Sequence, residues 1–559
     1  MSAEAIPQSA APRATQSTTP GWFARFLVRA EQLIDHVNPI LVKETRQALK
    51  SRQFVATFLV VLLACWGVSF AVVAIIGPDV YYVASGPTML MVYATILACP
   101  LILIVPFFAF RSLAAEQEDN TYELLSITSL SANQIISGKL GSAAVQMMIY
   151  LCGVSPCIAF TYLLRGVDIP TIVFLLIYFV FLCLGLSMLG LLAGTNAKAR
   201  HTHVLISLLV VLCLVIVLSS TITSIPEFVE RGFVDLQDPW FWLSNFAALT
   251  FYGATFSLLH AAAAAQIGFT SDNRSTPLRK RMLLLHACFL GWISIGSFFG
   301  PRSPEFFLLV LLTAAASSAA YWYLMGALMT SEWPHLSRRV LRSLPSTTLG
   351  RMFLTWFNPG PQTGFMFAVS SLSAVTLAGL MLILFFPPVG NWPSRDTVFY
   401  FLLLSWCYTL LFLGIGKLLI GLIRTVTYVQ LSAGFLVHLI LLLLACGIPQ
   451  VIFLMTPSLR LGSDFSFIQT TNPIWTLVTL IDNGPLAVEA NTLLIILGPA
   501  ALVVLLLNIR SLIVDVHHMP RALPERVAQD EALLHPPPEP KPINPWEAEA
   551  SSASSEVKA

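Results

Sequence analysis

"EQEDNTYELLSITSLSANQIISGKL" (Glu116–Leu140) lies between two apolar runs, 88–110 and 142–164. Its acids, amides and hydroxyls are either the wet face of a soluble helical bundle or a loop between two membrane spans. Composition decides between them. The 559 residues are 56% hydrophobic and 11% charged, where soluble domains carry about 25% charge. A span needs roughly 20 predominantly apolar residues to cross about 30 Å of hydrocarbon. Working outward from the quoted loop, the chain supplies twelve such runs: 54–76, 88–110, 142–164, 171–193, 203–222, 244–267, 282–299, 305–329, 365–387, 398–422, 431–455 and 491–509. The expected fold is an all-α integral membrane protein of about 12 transmembrane helices.

Basic residues in short loops orient such a bundle. With the N-terminus inside, the inner loops hold Arg111, Lys139, Lys198, Arg200, Arg274, Arg279, Lys280, Arg281, Arg338, Arg339, Arg342, Arg351 and Arg424. The outer loops hold only Arg165, Arg231, Arg302, Arg395 and Arg460. Thirteen against five puts both termini in the cytoplasm, and a plasma (inner) membrane is the expected location. A net charge of +2, spread as topology markers, gives no patch for nucleic acid. Met1–Pro20 lacks the apolar core of a secretory signal, so the first span directs insertion. All nine cysteines fall in or beside apolar runs, as small hydrophobes, and imply neither a disulfide framework nor a metal site.

The organisation reads as five regions. Residues 1–21 and 511–559, the latter with "HPPPEPKPINPWE", are too polar and proline-rich to fold and form cytoplasmic tails. Residues 22–53 form amphipathic helices broken at Asn38-Pro39, with six basic and three acidic residues. Arg46, Lys50 and Arg52 lie on their polar side, as suits helices on an anionic inner leaflet. Residues 54–268 and 269–510 are two six-span regions. They share a Gly-rich span, a short polar inner turn and a further span, followed by "DPWFW" at Asp238 in one and "NPIW" at Asn472 in the other.

Within the quoted loop, Glu116, Asp119 and Glu123 recur at helical spacing, with Leu124 and Leu125 exposed at the end of the turn. Ser131 with Gln134 three residues later fits a capping box, so a new helix is expected from Ala132 through Lys139 into the third span. The acids require water, and the leucines require a partner.

This string resembles the cytoplasmic loop of type 2 ABC transporter permeases, in which acids precede Gly-Thr, Glu-Leu-Leu and a Pro-x-Ser turn, and a Gly-Lys opens the third span. The matching positions are Glu116, Glu118, Thr121, Glu123, Leu124, Leu125, Ser131, Gly138 and Lys139. Asn120 replaces the family's glycine and Ser129 its turn proline. "NPILVKETRQALKSRQF" is similar to that family's N-terminal connecting helix. The resemblance covers residues 38–268 well and 398–509 loosely. It implies two six-helix halves, the second degenerate, and a permease that couples through 111–140 to a separate ABC ATP-binding subunit, in export. Glu116, Glu118, Asp119, Thr121, Glu123, Leu124, Leu125, Ser131 and Lys139 would form the coupling site. ATP and Mg would sit on the partner, and the path would be a homodimer or a pseudo-dimer within one chain. The second inner loop, "TSEWPHLSRRVLRSLPSTTLGRMFLTWFNPGPQTG", is basic and lacks Glu-Leu-Leu, so coupling there is expected to be weak or absent.

The chain carries no Gly-x4-Gly-Lys-Ser/Thr: Gly138-Lys139 lacks the earlier glycine, and Gly416-Lys417 is followed by leucine. No catalytic or metal-ligating constellation stands out, and the chain is expected to bind no cofactor of its own. Lys417 lies about 10 Å along its helix from Arg424 and is expected to snorkel inward. His201 and His203 read as a solvated turn. Glu227, Glu230, Asp235 and Asp238 read as a solvated loop with a partial re-entrant helix. Gly185, Gly190 and Gly194 allow close helix approach, and Trp240 and Trp242 read as interface anchors. Two other classes remain open: an ion-coupled secondary transporter, and a membrane-embedded enzyme or assembly scaffold.

Overall fold

The computed structural model describes residues 38–77, 84–118, 130–196, 200–230, 234–269, 272–332, 340, 355–385, 393–456, 465–517 and 525–534. The N-terminal tail, the first amphipathic segment before Asn38, Asp119, Thr121, Glu123, Leu124 and Leu125, and residues 518–524 and 535–559 of the C-terminal tail lie outside them; 511–517 and 525–534, expected not to fold, are helical instead.

The chain is an all-α integral membrane protein. Among the described residues, twelve helices are long and apolar enough to cross a membrane. They are preceded by the amphipathic α1 (Pro39–Lys50). The first six are α2 (Arg52–Ile76), α3 (Gly86–Glu118), α4 (Ala132–Leu163), α5 (Ile169–Gly194), α6 (Arg200–Glu230) and α7 (Pro239–Ile267). There follow α8 (Ser275–Phe299), α9 (Pro304–Thr330), α10 (Pro361–Phe385), α11 (Arg395–Arg424) and α12 (Leu431–Met455). The short α13 (Pro473–Asn483) precedes the last span α14 (Ala490–His517), and α15 (Glu525–Leu534) ends the described chain.

The chain divides into two compact units, residues 1–246 with 259–267 and residues 247–258 with 268–559. In the first unit α3 is the central post. Tyr93, Leu97, Leu101, Ile102, Val105, Phe110 and Leu113, all on α3, are essentially inaccessible. Of its most apolar window 56% is buried, against 11% for α2 and 6% for α6. Leu63 and Phe70 on α2, and Leu205 and Leu208 on α6, are more than half exposed. So much bare hydrocarbon on helices that satisfy their own backbone fits lipid as the surrounding solvent. In the second unit α11 takes the central role, with 61% of its window buried. The two units repeat one neighbour pattern: the second span packs on the third, fourth and fifth, α3 on α4, α5 and α6, and α9 on α10, α11 and α12.

Close approach along α3 depends on glycine. A Cβ on Gly190 of α5 would stand 2.7 Å from the Pro106 carbonyl oxygen, and one on Gly194 would stand 2.9 Å from that of Phe110. The α3 helix is not uniform. Pro100 removes one backbone donor, and the helix widens into a π turn over Pro100–Ile104, closed by Val105 N–H donating to the Pro100 carbonyl. Polar pairs then lock its neighbours: Thr57 with Tyr150 at 2.7 Å, and Ser69 with Tyr93 at 2.6 Å.

The expected re-entrant helix after the fifth span is absent among residues 234–238, which form a turn. Glu227 and Glu230 belong to α6 itself. Asp235 accepts from Gln237 N at 2.9 Å and Asp238 from Trp240 N at 3.0 Å, so the acids cap chain turns. Trp240 and Trp242 are more than half exposed. A short helix is instead found ahead of the last span of the second unit, as α13. It is started by Asn472, whose side chain accepts from Trp475 N at 3.0 Å.

Candidate functional site

The site is built where α1, the end of α3 and the start of α4 meet. Asn38 begins α1: its side-chain oxygen accepts from Ile40 N at 3.1 Å, and Pro39 supplies a first-turn residue that needs no donor. The Asn38 amide also donates to the Gln134 carbonyl of α4. Ser51 ends α1, its N–H donating to the Ala48 carbonyl at 3.1 Å, and starts α2, its hydroxyl accepting from Phe54 N at 3.2 Å. One residue thus turns an interfacial helix into the first span.

On α4 the expected capping box is present. The Ser131 hydroxyl accepts from Gln134 N at 3.3 Å, and Ser131 N donates to Gln134 Oε1 at 2.9 Å. The helix therefore begins at Ala132, well before the apolar run, and carries Gly138 and Lys139 beneath α1. Gly138 is needed there because a Cβ would lie 2.9 Å from the Ile40 Cβ. That contact seats α1 low enough to bring its acid over Lys139.

Lys139 is 2% exposed. Its ammonium has three hydrogens, and three acceptors meet them: Glu44 Oε1 at 3.1 Å, Glu116 Oε1 at 3.0 Å and the Ser112 carbonyl at 3.2 Å. Burying a cation is costly unless every donor is paired. Here the pairing spans three segments: the connecting helix, the last turns of the second span and the first turns of the third. Two carboxylates around one ammonium leave a net negative charge, and Lys43 and Arg111 stand nearby on the same cavity wall. Between them lies a cavity of about 460 Å³, lined by Lys43, Glu44, Arg111, Glu116, Lys139 and Gln146 among others.

Of the expected coupling residues, the structure brings Glu116 and Lys139 together and makes Ser131 the cap. Glu118 is exposed at the end of α3, where the chain leaves the described residues. Asp119, Thr121, Glu123, Leu124 and Leu125 lie outside them. Arg46, Lys50 and Arg52 are exposed, on the solvent side of α1 and at the head of α2. Glu44 is the member of this cluster that reasoning from sequence passes over. It sits in a basic helix, 95 positions from its partner, and no local spacing connects them.

The second unit has a tie of similar reach, with the head of its first span in place of the interfacial helix. Arg279, at the head of α8, is fully buried. It donates to Glu332 Oε2 at 2.8 Å just past α9, to the Trp356 carbonyl at 2.7 Å, and to Thr363 Oγ1 at 3.1 Å in the first turn of α10. Glu332 also accepts from Gly360 N and from Ser275, each at 2.8 Å. Arg279 was expected to be an inner-loop topology marker, and the structure makes it a buried clasp. Of the second inner loop, 333–339 and 341–354 lie outside the described residues.

Lys417 departs from expectation. It does not snorkel: it is 7% exposed, donates to Asn508 Oδ1 at 2.7 Å and stands 5.3 Å from the Phe365 ring centroid. An amide oxygen on α14 and an aromatic face give the ammonium a nearer home than the membrane surface. Among the inner-turn residues, His203 stacks on Phe110 with ring centroids 5.9 Å apart, while the side chain of His201 lies outside the described residues.

No family model, curated protein or solved structure matches the chain.

Proposed function

We propose that the chain is the membrane-spanning subunit of an ATP-driven transporter of the type 2 ABC permease class, working in export and coupled through residues 111–140 to a separate ATP-binding subunit. The single observation that carries this reading is the Glu44–Lys139–Glu116 clasp. A loop that transmits force needs both of its ends held to the spans it moves. Glu116 closes one end of this loop, Lys139 the other, and Glu44 joins both to the interfacial helix ahead of the first span. A pull on 119–129 then reaches α1, α3 and α4 together. The sequence carries no phosphate loop, which agrees with ATP and Mg being held by the partner. The basic-residue asymmetry supports an inner-membrane protein with both termini in the cytoplasm. The shared neighbour pattern of the units supports a second half that repeats the first, with the Arg279–Glu332 clasp in place of an acidic coupling loop.

The test is Glu123→Lys combined with Leu125→Asp in the full chain. The expected result is loss of a copurifying ATPase while membrane insertion is unchanged. Undiminished recovery of the ATPase overturns the docking role. A second reading, an ion-coupled carrier, draws on one observation, the buried Lys417, since ionisable residues within spans often mark ion pathways. Transport that persists without ATP and collapses with the ion gradient, together with its loss in Lys417→Met, selects that reading instead.

A further inference from the structure

The cavity beside the clasp continues into a second one. An apolar slot of about 390 Å³ is lined by Thr57 of α2, by Leu103, Ile104 and Phe107 of α3, and by Val211, Leu214 and Val215 of α6. Leu103 and Ile104 belong to the π turn. Gln53, Phe108 and Arg111 line both the slot and the polar cavity. The two therefore form one continuous recess in the first unit, charged at the α1 end and hydrocarbon along the spans.

The charged end is selective in sign. Glu44 and Glu116 are already engaged by Lys139. Lys43 and Arg111 are exposed and have no ion-pair partner among the described residues. A separate feature points to a ligand that donates as well. Gln146 lines the polar cavity and is 5% exposed, yet its Oε1 accepts no hydrogen bond among the described residues. Among the described residues its amide nitrogen donates to the Ser142 carbonyl alone, at 3.4 Å. A buried acceptor left in this way costs the full desolvation of that atom, and an occupant bearing hydroxyls would relieve it.

We propose that the recess holds one anionic phospholipid with a hydroxylated headgroup, of the phosphatidylglycerol type. Lys43, Gln53 and Arg111 face its phosphate, Gln146 accepts from a headgroup hydroxyl, and one acyl chain lies along Ile104, Val211 and Val215. The lipid is a resident of the clasp rather than the cargo, and it wedges α2 and α6 against the π turn of α3. This inference depends on the membrane placement of α2, α3 and α6 and not on ATP coupling, so either can fail without the other.

The test is native mass spectrometry of the full chain in mild detergent, titrated with phosphatidylglycerol, phosphatidylcholine and deacylated glycerophosphoglycerol. The wild type is expected to retain one phosphatidylglycerol in preference to phosphatidylcholine. Each basic residue near an anionic headgroup is worth about fivefold in affinity. Lys43→Ala with Arg111→Ala is therefore expected to weaken phosphatidylglycerol by about 25-fold and to erase the preference. Both positions are exposed, so folding is not at stake. Val211→Trp, at the mouth of the slot, is expected to weaken both phospholipids alike. Phosphatidylglycerol binding that is unchanged in both variants overturns the proposal. So does deacylated headgroup binding as tightly as the intact lipid, which would make the recess a pocket for soluble anions.

Discussion

At Lys139 the three ammonium hydrogens and the three oxygens around them match one for one, which is what permits a cation at 2% exposure. Removing the cation alone leaves Glu44 and Glu116 facing each other without compensation. Lys139→Met should cost about 3–5 kcal/mol, as for breaking a buried pair from one side. The check is a fall in unfolding temperature of the detergent-solubilised chain, with the Lys139→Met and Glu44→Gln double variant recovering part of the loss. If Lys139→Met unfolds with the wild type, the clasp is not structural. Arg279 is held by its two terminal nitrogens, while its buried Nε has no partner among the described residues. Its fork reaches a carboxylate, two carbonyls and a hydroxyl at once, an arrangement that a lysine ammonium does not reproduce. Arg279→Lys is therefore expected to destabilise the second unit even though the charge is kept.

Helix approach and helix start set the site at the next scale. Gly190 lets α5 lie against the Pro106 carbonyl of α3, whereas Gly253 of α7 has open space where a Cβ would stand. Leucine at position 190 should thus destabilise by about 1–3 kcal/mol through overpacking, and leucine at position 253 by much less. Thermal unfolding of the two variants compares them directly, and equal losses would remove the close contact as the cause. Ser131→Ala deletes the hydroxyl half of the capping box and should cost about 1 kcal/mol. The effect should be read as faster hydrogen exchange over 132–136 and not in the rest of α4. An unchanged exchange pattern there would show that tertiary packing, not the cap, starts the helix.

For the molecule as a whole, the basic-residue asymmetry predicts both termini on one face, with the turn between α8 and α9 on the other. A fluorescent-protein fusion after Ala559 should fluoresce in cells, and an alkaline phosphatase fusion after Arg302 should be active. Phosphatase activity at the C-terminus would invert the topology and, with it, the proposed coupling face. The two units share a neighbour pattern but differ in their central post, α3 in one and α11 in the other. They also differ in the chemistry of the clasp: a lysine between two acids in one, an arginine on one acid and backbone carbonyls in the other.

Fold class, the count of spans and the start of α4 were all legible in the order of residues, because each depends on local quantities. These are the length of an apolar run against the bilayer, and a serine three positions before a glutamine. Gly138 beside Lys139 could be flagged by resemblance, but its reason, the Ile40 side chain pressed against it, comes from another helix. Glu44, the burial of Arg279 and the Lys417–Asn508 bond were not legible. Each joins residues 53 to 95 positions apart, and in a membrane chain a charge near a helix end reads the same whether it faces water or a partner. Packing makes that choice: a cation goes inward where enough oxygens converge to replace its water, and their convergence is a property of the folded helices alone.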